Sequence, residues 1–371
     1  MSRVVAALDK IPGALEKTGF ILEHEIAEAF KKRGWSTING RYYADDVDGR
    51  ARELDLVAYR TDKSADIEVV TGVLVSCKKD AEHTWAFLSK EKPRSDPNFD
   101  WDPVHYWTDV EPLKTYLANE NWKSDYVTAG GSTYDEDIRA ARDIFAFQLI
   151  SSQTVSPKND KPIFDSISSL LKALDHEMEV LPSRAKKRKR VYFFSLLSVV
   201  DAPLVDVDYS KGAAIAREVK KLTHFARYMV KKRDLSALIH FVRSDATDDF
   251  IRSMSDLAQV NLQFMEARVD ASYRAIRTNP AVRGYFAERL KHRLVWRMNS
   301  ALRTTPATKV EELTLSYRVE DDLLVVGVDV FDDDQLKRMN SDAELVDYTE
   351  KALFEIARYK GKFVFELDVP F

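Results

Sequence analysis

The chain predicts an α/β fold with a mixed sheet, in which a helix is followed by three strands and a second helix, plus a separate C-terminal α/β unit. Three observations carry this. An amphipathic pattern near the N-terminus ends at a glycine, three strand-like runs with turn chemistry between them come next, and residues 271–371 return to alternating strand and helix patterns.

From Pro12 to Arg33, Leu22, Ile26, Ala29 and Phe30 recur at helical spacing, and Gly34 is a natural stop. Trp35 to Tyr43, Glu53 to Tyr59 and Val69 to Cys77 read as strands, joined through ADDVDGR and RTDKSAD. Asp80 to about Lys90 reads as a helix, which makes the order α-β-β-β-α. Pro93 to about Asp109 (PRSDPNFDWDPVHYW) has the composition of an irregular insertion, taken to run over about 93–160. Helices are expected at Tyr134 to Ser151 and Ile163 to Glu179. Strands at Val191 to Val199, Pro203 to Asp208 and Leu235 to Val242 are expected as outer members of the same sheet. Beyond them, Ser244 to about Leu302 reads as helical. Val310 to Val319 and Leu323 to Phe331 read as strands, Asp334 to Tyr359 as a helix and Lys362 to Pro370 as a final strand. The expected domains are 1–270, with its core at 13–92, and 271–371, a unit suited to oligomerisation or partner binding. No fixed-period repeat or low-complexity tract appears.

Composition narrows function by exclusion. Lys plus Arg number 56 against 60 Asp plus Glu, so a surface for a polyanion has to be a local patch. The run RAKKRKR, Arg184 to Arg190, is one such patch, readable as phosphate-neutralising or as a solvated loop. A single cysteine, Cys77, forbids an intramolecular disulfide and a multi-cysteine metal cage, which fits a reducing compartment, with the cytoplasm expected. No apolar run reaches the roughly 18 to 20 residues of a membrane span, and the N-terminus lacks a signal-peptide layout, so no membrane association is expected. Glycine-rich phosphate loops, GxSxG elbows and HExxH are absent, against nucleotide hydrolases, serine hydrolases and zinc proteases.

Strand alternation places Asp55, Val57 and Tyr59 on one face, and Leu74, Ser76 and Lys78 on one face of the following strand. A carboxylate and an ammonium among apolar neighbours would cost several kcal/mol unpaired, so they should meet each other, a metal or water. At about 100° per residue, Glu23 lies roughly 60° from the centre of the apolar helix stripe and Glu28 roughly 160° away, so Glu23 can face the sheet margin. Asp55, Glu23 through a water, and a strand carbonyl make a reasonable shell for Mg2+ or Mn2+. Lys78 would hold the attacking water or a scissile phosphate. Glu53 shares the face of Asp55, as a second ligand or a surface residue, while Cys77 reads as packing.

The segments LEHEIAEAFKKRGW, RELDLVAYR and VLVSCKKD resemble the PD-(D/E)xK restriction-endonuclease-like superfamily over about residues 18–90. The resemblance implies that Glu23 matches the helix glutamate, Asp55 the metal-binding aspartate, Lys78 the catalytic lysine and Trp85 an aromatic residue beyond it. Ser76 departs from the pattern, standing where the superfamily has Glu or Gln. Branches with Ser there take a carboxylate from the following helix, for which Glu82 and Glu91 are the candidates. By this resemblance the chain is a metal-dependent DNA endonuclease in a restriction or anti-phage defence setting. The alternative is a catalytically silent module that binds nucleic acid or acts as a sensor through homo-oligomers or a partner defence protein, and RNA stays open as substrate. Lys79, Lys186, Lys187, Arg188 and Lys189 are the expected phosphate contacts. His83 is a possible substrate contact or an ordinary exposed histidine. Trp101, His105, Tyr106 and Trp107 are either a base-stacking group or a satellite core.

Overall fold

The computed structural model describes residues 8–16, 18–45, 49–93, 95, 99, 102–183, 189–302, 309–330 and 333–368, the Asp9 side chain excepted. The chain divides into two compact units, Met1–Trp107 with Lys123–Phe264, and Thr108–Trp122 with Met265–Phe371.

The first unit opens with a short helical turn and then helix α1 (Phe20–Lys32), which buries Leu22, Ile26, Ala27 and Phe30. Gly34 ends it in the left-handed region (φ 80), and the chain turns so that Trp35 meets Phe30 edge-on with ring centroids 5.5 Å apart. Strands β1 (Ser36–Ala44), β2 (Ala51–Lys63) and β3 (Glu68–Lys79) form an antiparallel meander. Every residue of β3 from Glu68 to Cys77 is buried, which explains its nearly continuous apolar sequence: a strand covered on both faces has no solvent side to fill with polar residues.

After β3 the structure departs from the expected helix. Residues His83–Glu91 form strand β4. Thr84, Trp85 and Phe87 favour a pleated surface, and an apolar run this short has no periodicity that separates helix from strand. Strand β5 (His105–Thr108) follows, and then β6 (Arg142–Ser151), where a helix over Tyr134 to Ser151 was expected; only Tyr134–Ile138 is helical. Strand β7 is Pro157–Lys158 and helix α2 is Lys161–Val180. The remaining strands of this unit are β8 (Arg190–Asp201), β9 (Leu204–Asp208), β10 (Ile215–Glu218), β11 (Lys221–Val230) and β12 (Arg233–Arg243).

These strands form two sheets. The larger has the order β1-β2-β3-β8-β12-β11, with β5 against β8; the smaller has the order β10-β9-β4-β6-β7. Strands β8 and β12 therefore join the sheet of β3, as expected, whereas β9 belongs to the other sheet, beside β4. Because β3 and β8 are parallel, the chain between them must cross over, and α2 is the helix of that crossover. Its apolar side, Ile163, Ile167, Leu170, Leu171 and Leu174, packs with Leu74, Leu196 and Ile239 of the larger sheet and Trp85 and Phe87 of the smaller. The opposite face of β3 carries Thr71, whose hydroxyl accepts from Asn261 Nδ2 at 2.8 Å; Asn261 lies on helix α3 (Thr247–Arg274). The larger sheet is thus covered on both faces.

The second unit is a small α/β layer. Helix α4 (Pro280–Leu302) buries Val282, Phe286, Leu290, Leu294 and Met298 at helical spacing against strands β13 (Leu313–Arg318) and β14 (Leu323–Val328), helix α5 (Ala343–Ala357) and strand β15 (Lys362–Leu367). The order is β13-β14-β15, antiparallel and then parallel. Asp342 caps α5 by accepting from the amides of Glu344 and Leu345 at 3.0 Å each. A Cβ at Gly327 would run into the Thr314 hydroxyl of the neighbouring strand, so the close approach of the strands favours glycine there. Among the described residues no helix is long and apolar enough to cross a membrane.

Candidate functional site at a strand fork

The β2–β3 ladder ends at Leu56 opposite Val75, although β2 remains paired with β1 as far as Ala51 and β3 with β8 as far as Lys79. The two strands therefore part just where Asp55 and Ser76 would face each other. Asp55 Oδ2 accepts the Cys77 amide at 2.6 Å, so a side chain takes over from the ladder at the fork. Lys78 Nζ stands 3.8 Å from the same oxygen, and both side chains keep partial solvent access. Alternation in each strand puts Asp55, Ser76 and Lys78 on the α2 side, where all three line one cavity of 540 Å³.

Ser76 is 2% exposed and its hydroxyl has no hydrogen-bond partner among the described residues. A buried hydroxyl left unpaired costs about 1–3 kcal/mol, and here it stands beside a carboxylate and an ammonium. Glu23, in the first turn of α1, is half-buried. Burial lifts its carboxyl above the usual range, the charges of Asp55 and then Glu53 lift it further, and Lys78 opposes them. Glu23 thus feels the charges of the fork from outside the cavity lining. Cys77 is buried, and that burial pushes its thiol well above the ordinary cysteine range, so it is a packing residue and no nucleophile.

The rest of the cavity wall comes from the end of β1, the start of β2, α2 and Tyr228 of β11. Lys172 Nζ lies 3.2 and 3.1 Å from the two carboxylate oxygens of Asp45, with both side chains only 10% exposed, and Arg52 Nε is 3.3 Å from Asp45. Lys161 and Asp165 pair at 2.6 Å nearer the surface. Burial pushes the Tyr43 hydroxyl up to about 12. In all, Asp45, Glu53, Asp55 and Asp165 face Arg52, Lys78, Lys161 and Lys172, a wall neutral in sum.

Of the residues expected at a site, Asp55, Ser76 and Lys78 line one cavity, whereas Glu23 does not line it and is linked to Asp55, Glu53 and Lys78 through charge alone. Glu82 does not line this cavity: with His83–Glu91 a strand, it sits in the turn before β4, its amide 3.3 Å from Asp80 Oδ1. Glu91 closes the far end of β4, its amide bonded to Ser210 Oγ at 2.9 Å. The helix that lies over the fork is α2, reached only after the helices Leu113–Asn119 and Trp122–Thr133, and its Asp165 is a carboxylate of the wall that the motif pattern did not point to. A signal was present, since Lys161, Asp165, Ser168 and Lys172 recur on one side of α2 beside its apolar stripe.

Lys79 pairs with Asp201 of β8 at 3.7 Å. Lys189 is exposed before β8, while Lys186, Lys187 and Arg188 lie outside the described residues, as does Trp101. His83 Nδ1 lies 2.7 Å from Asp80 Oδ1, tied into the turn before β4. Tyr106 and Trp107 pack on Phe193 and Tyr192, with ring centroids 6.4 and 5.9 Å apart, as a satellite core does.

The site's oxygen donors, the carboxylates of Asp55 and Glu23 and the orphaned Ser76 hydroxyl, are of the kind that a hard divalent cation prefers, and such a charge would relieve the repulsion at Glu23. Among the described residues no three His, Cys, Asp or Glu side chains gather as a ready metal site. Comparison with protein-family models, with curated proteins and with solved structures finds no match for this chain.

Proposed function

We propose that this chain is a metal-dependent nuclease of the PD-(D/E)xK restriction-endonuclease-like type that hydrolyses phosphodiester bonds of DNA. The observation that carries the reading is the fork itself. Asp55 and Lys78, 23 positions apart by their numbers, meet there at 3.8 Å beside an unsatisfied buried serine, with Glu23 coupled in by charge. The α-β-β-β order supports it, as does the crossover through α2 to a strand parallel to β3.

Asp55, Glu23 and the Ser76 hydroxyl would hold Mg2+ or Mn2+, with Asp165 of α2 as a further carboxylate on the wall. Such a cation, when bound, supplies a Lewis acid and a water of lowered pKa. Lys78 orients a non-bridging phosphate oxygen and balances the charge that builds up as the water oxygen bonds to phosphorus and one P–O ester bond breaks. A phosphate monoester and a hydroxyl result. Asp55, held by the Cys77 amide, stays aimed into the cavity throughout.

One observation favours the second reading, a silent nucleic-acid-binding or sensor module: Ser76 holds the place of a carboxylate. Supercoiled plasmid with Mg2+ or Mn2+ and excess protein separates the two. Nicking that disappears in Asp55→Ala supports the nuclease; retention of DNA on a gel with no cleavage at any metal concentration supports the silent module. A labelled RNA in the same assay decides between DNA and RNA. Placement in restriction or anti-phage defence rests on the resemblance alone, and placement in the cytoplasm on the reducing compartment that a single cysteine fits.

A further inference from the structure

The chain as a whole is slightly acidic, with a net charge of -4, yet one pocket of the second unit reverses that sign. It encloses 440 Å³ between the end of α3 with the turn Ala275–Arg277 and the turn that follows α5. Arg274, Arg277, Arg358 and Lys360 line it, against the single acid Asp270. Asp270 is committed to Arg358 at 3.5 Å, and none of Arg274, Arg277 and Lys360 has an acidic partner among the described residues. Three cations are therefore left for a ligand.

The guanidiniums are held in place. Arg358 lies 4.2 Å over the Tyr273 ring, and Arg277 lies 6.0 Å from the Tyr317 ring and 5.9 Å from that of Tyr359. A cation–π contact steadies a guanidinium while its N–H groups remain able to donate to phosphate oxygens. Arg358 also sits in the left-handed region (φ 52), at a helix end where glycine is the residue of least strain. Strain of this kind persists where a side chain is needed in one place. Tyr359 is buried, its hydroxyl donating to Lys362 O at 2.8 Å, and with Ile276 and Ala357 it makes an apolar floor. The volume is in the range that accommodates a whole small molecule.

We propose that this pocket binds a nucleotide, its phosphate between Arg274, Arg277 and Lys360 and its flat base over the Tyr359 floor. The nucleotide is either free or the phosphorylated end of a strand. The inference does not depend on the fork site, whose residues are all in the other unit.

Calorimetric titration of the full chain in EDTA, where no metal-dependent cleavage can run, tests it with four probes: adenosine 5′-monophosphate, adenosine, inorganic phosphate and a 5′-phosphorylated single-stranded decanucleotide. The monophosphate should bind, more weakly as salt rises, and adenosine should not. Binding of the decanucleotide but not of the monophosphate identifies the strand end as the source. Arg274→Gln with Lys360→Gln, both exposed positions whose change should leave the melting curve in place, should weaken binding at least tenfold. Arg277→Ala should do the same, while Asp55→Ala should leave it unchanged. The proposal is overturned if neither the monophosphate nor the decanucleotide binds, if the Gln pair binds as the parent does, or if inorganic phosphate binds as tightly as the monophosphate.

Discussion

The cavity at the fork and the pocket of the second unit are both rich in charge, but they use it in opposite ways. At the fork four acids face four bases, and the deepest pair, Asp45 with Lys172, is largely withdrawn from solvent on both sides. In the second unit four bases face one acid. A wall neutral in sum attracts no ion at long range and acts through the placement of single groups, such as Asp55 held by an amide and Lys78 beside it. An unbalanced wall draws anions from a distance and responds to salt. Net charge, for the chain or for a cavity, says little until the partners of each charge are known.

The largest expected effect tests the fork. Asp55→Ala and Lys78→Ala should each reduce plasmid nicking by a factor on the order of 10² to 10³, the usual loss for a group that stabilises developing charge. Lys78→Ala should lower the melting temperature little, since its side chain is part-exposed, while Asp55→Ala leaves the buried Cys77 amide without its acceptor and should cost about 1–3 kcal/mol without unfolding the chain. Full activity in both variants would sink the fork as a catalytic site.

Next in size is a pH effect confined to the first unit, where burial holds His105 and His224 down to about 4 and His240 to about 3. Below pH 6.5 the unfolded chain takes up protons that the folded unit refuses, so stability should fall as pH drops from about 6.5 toward 4. Each pH unit by which a histidine is held below its ordinary value contributes about 1.4 kcal/mol to that fall, so the three together reach several kcal/mol. Hydrogen-exchange mass spectrometry should show β12 losing protection over this range, and His240→Gln should flatten the trend. Equal loss in β14 would mean that the histidines are not the cause.

Breaking the deepest charge pair comes third. Lys172→Ala should destabilise the first unit by about 3 kcal/mol, because Asp45 is left buried with less compensation, and Lys172→Met with Asp45→Asn should recover part of that loss. Denaturant melts would decide, and additive losses in the double variant would refute the coupling.

Ser76 is the smallest and sharpest case. Ser76→Ala removes an unsatisfied buried hydroxyl and should raise stability by about 1 kcal/mol, with only a modest drop in nicking. Ser76→Glu should strengthen metal-dependent cleavage if a ligand is missing from the wall. If Asp165 already fills that place, the added charge should crowd the metal and reduce cleavage.

The features written in neighbouring residues were local ones. The apolar spacing of Leu22, Ile26 and Phe30, the stop at Gly34, and the alternation that turns Asp55, Ser76 and Lys78 the same way were all legible, because periods of 3.6 and 2 are written in neighbouring residues. Tertiary structure decided the rest. His83–Glu91 and Arg142–Ser151 became strands because each found a partner on both sides, β4 between β9 and β6, and β6 between β4 and β7. Pairing over such separations outweighs the weak helical bias of a ten-residue segment. The same crossover brought α2 over the fork and with it Asp165 and Lys172. The basic pocket joins Arg274 and Arg277 to Arg358 and Lys360, which are roughly 80 positions apart, and no local pattern announces that meeting. Individual side chains were readable before folding, but only the chain's return on itself decided which charges would find a partner.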